Sequence, residues 1–179
     1  MSVQRIKEAF DSDKIYHMVS FDRVYYKSPI GYIEINSADD AIVSMYFADD
    51  DPKVQKPGSE AVKICIDELD AYFDGNLQQF SFPIKFNGTD FQCRVWNELL
   101  NIPFGETISY GELSRRIGNP AAVRAVGSAN GSNPLSIVVP CHRVIGSNGK
   151  LIGYGGGLWR KKWLLEHEKR VKYGLITLF

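Results

Sequence analysis

The residues with the clearest chemical potential form one short run, Pro140-Cys141-His142-Arg143. A thiolate is a strong nucleophile, but an ordinary cysteine, with a pKa of about 8.5, is only slightly ionised at neutral pH. A base or a positive charge beside the thiol increases the ionised fraction, and a histidine and an arginine follow Cys141 directly. The run therefore predicts a nucleophilic cysteine.

His142 is the candidate base for this thiol. Side chains of consecutive residues on an extended backbone point apart, so we expect His142 to reach Cys141 through a bridging water or after a turn. A histidine that accepts a proton needs its second ring nitrogen oriented by an acceptor, and the last predicted helix offers Glu166 and Glu168. Sequence spacing does not choose between these two carboxylates.

A strand and a glycine-rich loop are predicted to hold the reactive run in place. Ile137-Val138-Val139 is a β-branched run typical of a buried strand, which puts Cys141 at a strand end. The segment Gly153-Tyr154-Gly155-Gly156-Gly157 has almost no β-carbons, so it either moves or lets a flat ligand approach its backbone amides. A basic helix is predicted over residues 158–172. Its expected buried residues are Trp159, Trp163, Leu164 and Leu165.

Two short helices upstream form a predicted helix-turn-helix. A capping box at Ser109 starts a helix near Tyr110 that stops at Gly118, and Asn119-Pro120 starts a second helix that reaches about Asn130. Helix, short turn, helix is an arrangement that sets a recognition helix against DNA.

The second of these helices has an unusual exposed face. Val123 and Val126 are predicted to point at the core, whereas the other face is small except for Arg124. Small residues let a helix backbone approach a surface closely, as entry into a DNA groove requires. Alternatively, the alanines supply only helix propensity and Arg124 pairs with a carboxylate. The small residues of this face are Ala121, Ala125 and Ser128.

The first half of the chain reads as mixed α and β. Apolar alternation predicts a hairpin from strands over residues 31–36 and 42–47, then a helix over 60–74 with Gly75 as its left-handed C-terminal residue. Phenylalanine and isoleucine alternate strictly over residues 80–86, which predicts a half-buried strand. The candidate domain boundary lies at Asn87-Gly88-Thr89.

Composition is that of an ordinary globular protein of 179 residues, with 44% hydrophobic and 23% charged residues. Disordered, collagen-like and disulfide-scaffold classes are excluded. Residues 1–87 carry 9 basic and 15 acidic side chains, a net charge of −6, and the remainder carries 12 and 6, a net charge of +6. This division favours a polyanion as partner of the basic half, although solvated surface charge also explains it.

The sequence gives no reason to expect a metal, a cofactor or a membrane. Cys65 and Cys93 lie in amphipathic helical stretches and are predicted to be buried apolar residues. No Cys-x-x-Cys pair occurs, and no ligand spacing is typical of zinc. No secretory signal opens the chain and no apolar run approaches about 18 residues, so we expect a soluble, cytoplasmic protein.

Together these motifs resemble the O6-alkylguanine-DNA alkyltransferases. The family's core motif Pro-Cys-His-Arg-Val stands at residues 140–144, after Asn133-Pro134 and before Gly-Tyr-x-Gly-Gly at 153–157 and Trp-Leu-Leu-x-His-Glu at 163–168. Upstream, Pro-Phe-Gly-Glu-Thr-x-Ser-Tyr-Gly-Glu-Leu, Gly-Asn-Pro and Arg-Ala-Val-Gly also match, so the resemblance covers residues 88–168 in order. The first half is similar only in pattern, chiefly at Ser28-Pro29-Ile30-Gly31.

This resemblance implies an α+β fold of two domains. Residues 1–87 would form an RNase-H-like α/β domain with antiparallel strands, and residues 88–179 a mostly helical winged-helix domain with the helix-turn-helix. It implies direct repair of alkylated DNA, in which the protein irreversibly and stoichiometrically takes the alkyl group from O6 of guanine, and less efficiently from O4 of thymine. The implied partner is double-stranded DNA with alkylated bases, bound through the minor groove by a monomer without a cofactor.

The family's catalytic roles fall on five residues of this sequence. By resemblance, Cys141 accepts the alkyl group, His142 deprotonates it through a water, and Glu168 orients the histidine. Asn133 corresponds to the hinge asparagine that supports this network. Tyr110 matches the tyrosine that donates a proton or hydrogen bond to N3 of the leaving guanine.

The resemblance also implies DNA-binding roles. Arg124 matches an arginine finger that enters the base stack through the minor groove and fills the gap left by the flipped nucleotide. Some members carry a serine where this chain has Gly155, so backbone amides of the loop would donate to O6 and larger alkyl groups would be admitted. The other residues implied in DNA binding are Ala125, Gly127, Ser128, Tyr154 and Gly156.

Two other functions fit parts of the sequence. An alkyltransferase-like protein that binds DNA damage without catalysis would keep the groove helix but replace the acceptor, and Cys141 argues against it. A Cys-His hydrolase would be acylated at Cys141 and released by water, and would therefore turn over many times.

Overall fold

The computed structural model describes residues 21–48 and 58–174. An N-terminal antiparallel sheet in the order β1-β2-β3 carries one helix, and the C-terminal part is mostly helical. The predicted α+β class is confirmed. The elements are β1 (Phe21–Ser28), β2 (Gly31–Ala38), β3 (Ala41–Ala48), α1 (Glu60–Phe73), α2 (Asp90–Leu99), β4 (Ile108–Ser109), α3 (Tyr110–Arg116), α4 (Val123–Gly131), β5 (Val144–Ile145) and α5 (Leu158–Tyr173).

The predicted hairpin is formed by β2 and β3, with Ile35 opposite Met45 and Ile33 opposite Phe47. Its two turn residues, Asp39 and Asp40, have φ values of 53° and 55°. Two-residue hairpin turns need positive φ, which aspartate tolerates better than most residues. The sheet is thereby fixed in register, with the apolar side chains on its inner face.

Helix α1 packs against all three strands of the sheet. Ser59 caps it by accepting a hydrogen bond from the Val62 amide, and Gly75 follows its end with a φ of 80°. Both features agree with the predicted helix. Cys65 and Tyr72 on its inner face are fully buried, so the prediction for Cys65 is confirmed.

The strand predicted over residues 80–86 is wrong. The segment makes one isolated bridge to β3, in which the Ile42 amide donates to the Pro83 carbonyl at 2.8 Å and the Lys85 amide donates to the Ile42 carbonyl at 3.0 Å. Pro83 has no amide hydrogen, so a regular ladder cannot continue through it. The alternation instead reflects burial, since Phe82 is only 5% exposed.

Helices α3 and α4 form the helix-turn-helix, but α4 begins later than predicted. Ser109 caps α3 as expected, through a 3.1 Å hydrogen bond from the Glu112 amide. Asn119 does not cap α4, because its carbonyl accepts a turn hydrogen bond from Ala122 and the helix starts at Val123 without a side-chain cap. Val123 is exposed, contrary to prediction, whereas Val126 is buried.

The β-branched run Ile137-Val138-Val139 is buried but is not a strand. Ile137 has a φ of 74°, which a β-branched residue rarely adopts, and the Val138 and Val139 amides bond to carbonyls within the same loop. The loop is fixed to the edge of β3, where the Met45 amide donates to Pro134 at 2.7 Å and its carbonyl accepts from Ser136 at 3.1 Å.

Helix α5 runs back across the site and ends at Gly174, whose φ is 62°. Leu164 and Leu165 are buried as predicted, but Trp159 is 56% exposed. None of the helices within residues 21–48 and 58–174 is long and apolar enough to cross a membrane. The same residues contain no group of three or more histidine, cysteine, aspartate or glutamate side chains that could hold a metal ion.

Candidate active site

Cys141 opens a short 3-10 turn, Cys141–Arg143, instead of ending a strand. Its amide donates to the Val139 carbonyl at 2.8 Å, and the Arg143 amide donates to the Pro140 carbonyl at 2.9 Å. The turn removes the alternation of an extended chain, so Cys141 and His142 need not point apart. Cys141 is 5% exposed and His142 is fully buried.

Burial dominates the ionisation of the Cys141 thiol. It raises the pKa of Cys141 above its ordinary value, because the charged thiolate loses its water. The Asn133 amide, the charge of Lys161 and the backbone amides of the turn oppose this shift without cancelling it. The resting site therefore holds a neutral thiol beside groups that favour the thiolate.

The structure pairs His142 with Glu168 and not with Glu166. His142 Nε2 lies 2.8 Å from Glu168 Oε1, and both side chains are fully buried. Glu166 is exposed and lies beside Lys162. Burial lowers the pKa of His142 below its ordinary value, with Glu168 opposing the shift, so the ring is neutral at physiological pH.

The tautomer of His142 follows from this pairing. Burial alone would raise the pKa of Glu168, but His142 and Arg143 lower it well below its usual range, so Glu168 is a carboxylate that only accepts. Nε2 of His142 must therefore carry the proton. Nδ1 is buried, has no hydrogen-bond partner within the described ranges and has a free lone pair.

Glu168 also receives hydrogen bonds that the sequence did not indicate. Arg143 donates from Nε to Oε2 at 2.9 Å and from Nη2 to Oε1 at 3.0 Å. Its positive charge is therefore paired with the Glu168 carboxylate. The Gly105 amide donates to Oε2 at 2.9 Å, and the Tyr72 hydroxyl donates to Oε1 at 2.9 Å. Tyr72 comes from the N-terminal sheet-and-helix part, 96 residues away in sequence.

Two asparagines hold the loop around the thiol. Asn133 accepts from the Leu135 amide at 3.0 Å and donates to the Val139 carbonyl at 2.8 Å. This bridges the two ends of the loop before Cys141, as a hinge residue would. Asn130, at the end of α4, donates to the Cys141 carbonyl at 3.4 Å and was missed from the sequence because it appeared only as the helix end.

Tyr110 lies at the N-terminus of α3, where its hydroxyl donates to the Ile152 carbonyl at 3.1 Å. A β-carbon on Gly127 would lie 3.8 Å from the Tyr110 ring, so Tyr110 packs beside α4. Lys161, also missed from the sequence, is fully buried and donates to the carbonyls of Val144, Ile152 and Gly153 at 2.7–3.2 Å. Burial lowers the pKa of Lys161 to about 8.

The face of α4 predicted to meet DNA is open to solvent. Arg124, Ala125 and Ser128 are exposed, and Gly127 is half-buried against Tyr110. No carboxylate in the part of the chain that the structure describes lies within ion-pair distance of Arg124. The alternative in which Arg124 serves an internal ion pair therefore loses its support.

The glycine-rich loop packs on one side and is open on the other. The Tyr154 ring lies 6.2 Å from the Phe47 ring and 6.5 Å from the His142 ring. A β-carbon on Gly156 would lie 2.7 Å from Phe47 Cε2, so only glycine fits there, whereas nothing lies within 4 Å of such an atom on Gly155. Gly155 thus lies at an open edge of the site.

Comparison with known proteins gives two matching domain families. The 6-O-methylguanine DNA methyltransferase ribonuclease-like domain matches residues 23–86, and the DNA binding domain of the same name matches residues 90–170. A methylated-DNA–protein-cysteine methyltransferase of Mycobacterium tuberculosis is 56% identical over 123 residues, 69% of this chain and 74% of the relative. One of Mycolicibacterium paratuberculosis is 46% identical over 156 residues, 85% of this chain and 94% of the relative.

Solved structures give the same result. The crystal structure of Mycobacterium tuberculosis O6-methylguanine methyltransferase matches with a TM-score of 0.75 and 44% identity, over 84% of this chain and 93% of that chain. Mycobacterium tuberculosis OGT in complex with DNA matches with a TM-score of 0.75 and 47% identity, over 82% and 92% of the two chains. The chain described here belongs to the 6-O-methylguanine DNA methyltransferase family.

Proposed function

We propose that this protein repairs DNA by transferring the alkyl group of O6-alkylguanine, and less efficiently that of O4-alkylthymine, to Cys141. The observation that carries the proposal is the turn that follows Pro140, where the buried Cys141 thiol stands next in sequence to His142, whose Nε2 lies 2.8 Å from Glu168 Oε1. Family membership and the names of the relatives support the same reaction.

Nδ1 of His142 is a suitable acceptor for the proton of the thiol. Glu168 holds the proton of His142 on Nε2, so Nδ1 is free to take the thiol proton, directly or through a bridging water. Sulfur then forms a bond to the alkyl carbon as the bond from that carbon to O6 breaks. The leaving guanine gains negative charge, and Tyr110 at the edge of the site donates a hydrogen bond or a proton to its N3.

The transfer inactivates the protein permanently. The thioether on Cys141 has no protonatable leaving group, and no residue of the site can hydrolyse a carbon–sulfur bond. Each molecule therefore acts once, in a stoichiometric reaction.

DNA is bound by helix α4 in the minor groove, with the alkylated base rotated out of the duplex. O6 of guanine is inaccessible in a stacked duplex, and rotation costs a few kcal/mol that an inserted side chain offsets. Arg124 is exposed and unpaired within the described ranges, so it is available to fill the gap. A monomeric state and a cytoplasmic location remain predictions from the sequence.

Intact-protein mass spectrometry after incubation with duplex DNA that contains O6-methylguanine tests the reaction. We expect each molecule to gain the mass of one CH2 unit, because a methyl group replaces the thiol hydrogen of Cys141. The Cys141→Ala variant should bind the same duplex without gaining mass, and Cys93→Ala, a half-buried cysteine outside the site, should react like the parent.

The outcomes separate the three functions. Binding without any mass increase of the parent protein would favour a damage-binding protein. Many turnovers on esters or peptides, with an unmodified Cys141 at the end, would favour a hydrolase. Either result would overturn the proposal.

A further inference from the structure

A small cavity beside Cys141 is walled partly by the N-terminal sheet. Its volume is about 110 Å³, and Tyr46 and Phe47 of strand β3 line it together with Cys141. An apolar cavity of about 150 Å³ can hold a benzene molecule. With Phe47 in place, the cavity therefore suits a methyl or another short alkyl group better than an aromatic ring. Its remaining lining residues are Gly131, Asn133, Ser136, Gly155 and Gly156.

Phe47 is held in position by Arg160 on helix α5. The guanidinium lies 4.6 Å from the centre of the Phe47 ring and 4.6 Å from that of Trp159. Arg160 also donates to the Ile30 carbonyl at 2.8 Å and to the Gly156 carbonyl at 2.9 Å. Arg160 thus connects the loop between β1 and β2 with the glycine-rich loop and with Phe47, which forms the aromatic wall of the cavity.

Two further contacts limit movement of the wall. Phe47 occupies the space that a side chain on Gly156 would need, and its ring meets Tyr154 at 6.2 Å. The neighbouring Met45 is bonded through both backbone groups to the loop that leads to Cys141. The wall and the thiol therefore form one packed unit.

We propose that Phe47 sets the largest alkyl group that this protein transfers, and that Arg160 is the positioning residue that keeps Phe47 in the wall. The proposal rests on the proposed alkyl transfer to Cys141. It gives the N-terminal part of the chain a share in substrate specificity, because the wall belongs to strand β3.

The test compares transfer from two duplexes, one with O6-methylguanine and one with O6-benzylguanine, followed by intact mass. We expect Phe47→Ala to raise the benzyl-to-methyl rate ratio about tenfold, since one methylene in an apolar pocket is already worth about that much discrimination. Arg160→Met should raise the same ratio by a smaller factor. Phe91→Ala, which changes a half-buried ring outside the cavity, should leave the ratio unchanged.

An unchanged ratio in Phe47→Ala, or an equal loss on both duplexes, would overturn the role of Phe47 while leaving alkyl transfer intact. A parent protein that modifies Cys141 with neither duplex would instead refute the proposed function. Phe47→Leu, a smaller change to the wall, decides by the same ratio if Phe47→Ala does not fold.

Discussion

Replacing Glu168 by glutamine keeps the shape of the side chain but removes its charge, which makes it a sharp test of the buried network. Oε1 accepts from His142, Tyr72 and Arg143, and Oε2 accepts from Arg143 and the Gly105 amide. A glutamine satisfies most donors if its oxygen takes the place of Oε1. Its NH2 group then faces the Arg143 Nε and Gly105 donors, which lose their acceptor.

The expected loss of stability follows from burial. Glu168 is fully buried and the Arg143 side chain is 8% exposed, so solvent screens the pair very little. Removing one partner of a buried ion pair costs about 3–5 kcal/mol, which lowers the Tm of a domain of this size by about 6–20 °C. Glu168→Gln should therefore be strongly destabilised at neutral pH, and Arg143→Met combined with Glu168→Gln should be less so than the two single losses together.

The contribution of Glu168 to stability should change with pH, and its pKa gives the direction of that change. Because the pKa of Glu168 is lowered by folding, its contribution is complete above the ordinary carboxyl value of 4.5 and is lost as the pH falls below it. We expect a gap in the free energy of unfolding between the parent and Glu168→Gln at neutral pH. Measured by thermal unfolding, this gap should decrease as the pH falls below that value. A gap that stays constant below this value, or one under about 1 kcal/mol at neutral pH, would refute the reasoning.

Four other residues of the site give predictions with separate measurements. Arg124→Ala should slow repair of duplex DNA at least about tenfold while sparing the reaction with the free base O6-methylguanine, because only the duplex requires base rotation; similar losses on both would give Arg124 a role in the fold. Gly155→Ser has open space for its side chain, so it should leave Tm unchanged and lower the butyl-to-methyl transfer ratio; an unchanged ratio would remove the idea that glycine admits larger groups. The rate of Cys141 methylation should stay constant as pH falls to 6.5 and decline only below it, since the pKa of His142 is lowered from that value; a decline that starts above 6.5 would contradict His142 as the neutral base. Tyr72→Phe should lower stability by about 1.5–3 kcal/mol in thermal unfolding through the lost hydrogen bond to the Glu168 carboxylate, and a variant as stable as the parent would show that this bond contributes nothing.

Local signals in the sequence predicted α1 and α3 well, whereas the cap expected for α4 at Asn119 did not form. Ser109 caps the helix expected from it, and Gly75 follows the end of α1 with a positive φ. From the residues alone, Glu168 was predicted only as one of two possible partners of His142. Glu166 lies two residues before it on the same helix. The choice between them depends on how α5 faces the Cys141 turn, and the resemblance to the family supplied that choice. The domain boundary near Asn87 remains a prediction.

Long-range contacts left no such signal. Tyr72 appeared as one apolar residue of an amphipathic helix, yet its hydroxyl bonds to Glu168, and Phe47 appeared as a strand residue, yet it lines the cavity at Cys141. The run from Ile137 to Val139 has strand-forming residues, but a positive φ at Ile137 turns the chain between Pro134 and Pro140. The strand propensity of these residues does not decide the structure here, because the loop must pair with β3 and also position Cys141.

The raised pKa of Cys141 suits a protein that uses its thiol once. Only the thiolate reacts readily with oxidants and soluble alkylating agents. A buried neutral thiol is therefore protected until an alkylated nucleobase enters the site. In the mechanism that we propose, the thiol proton passes to His142 as the alkyl carbon arrives, and His142 becomes positive during the reaction. Its 2.8 Å contact with the Glu168 carboxylate strengthens as that charge develops. We therefore propose that the dyad lowers the barrier to transfer without ionising the resting thiol, because its stabilisation grows only in the transition state.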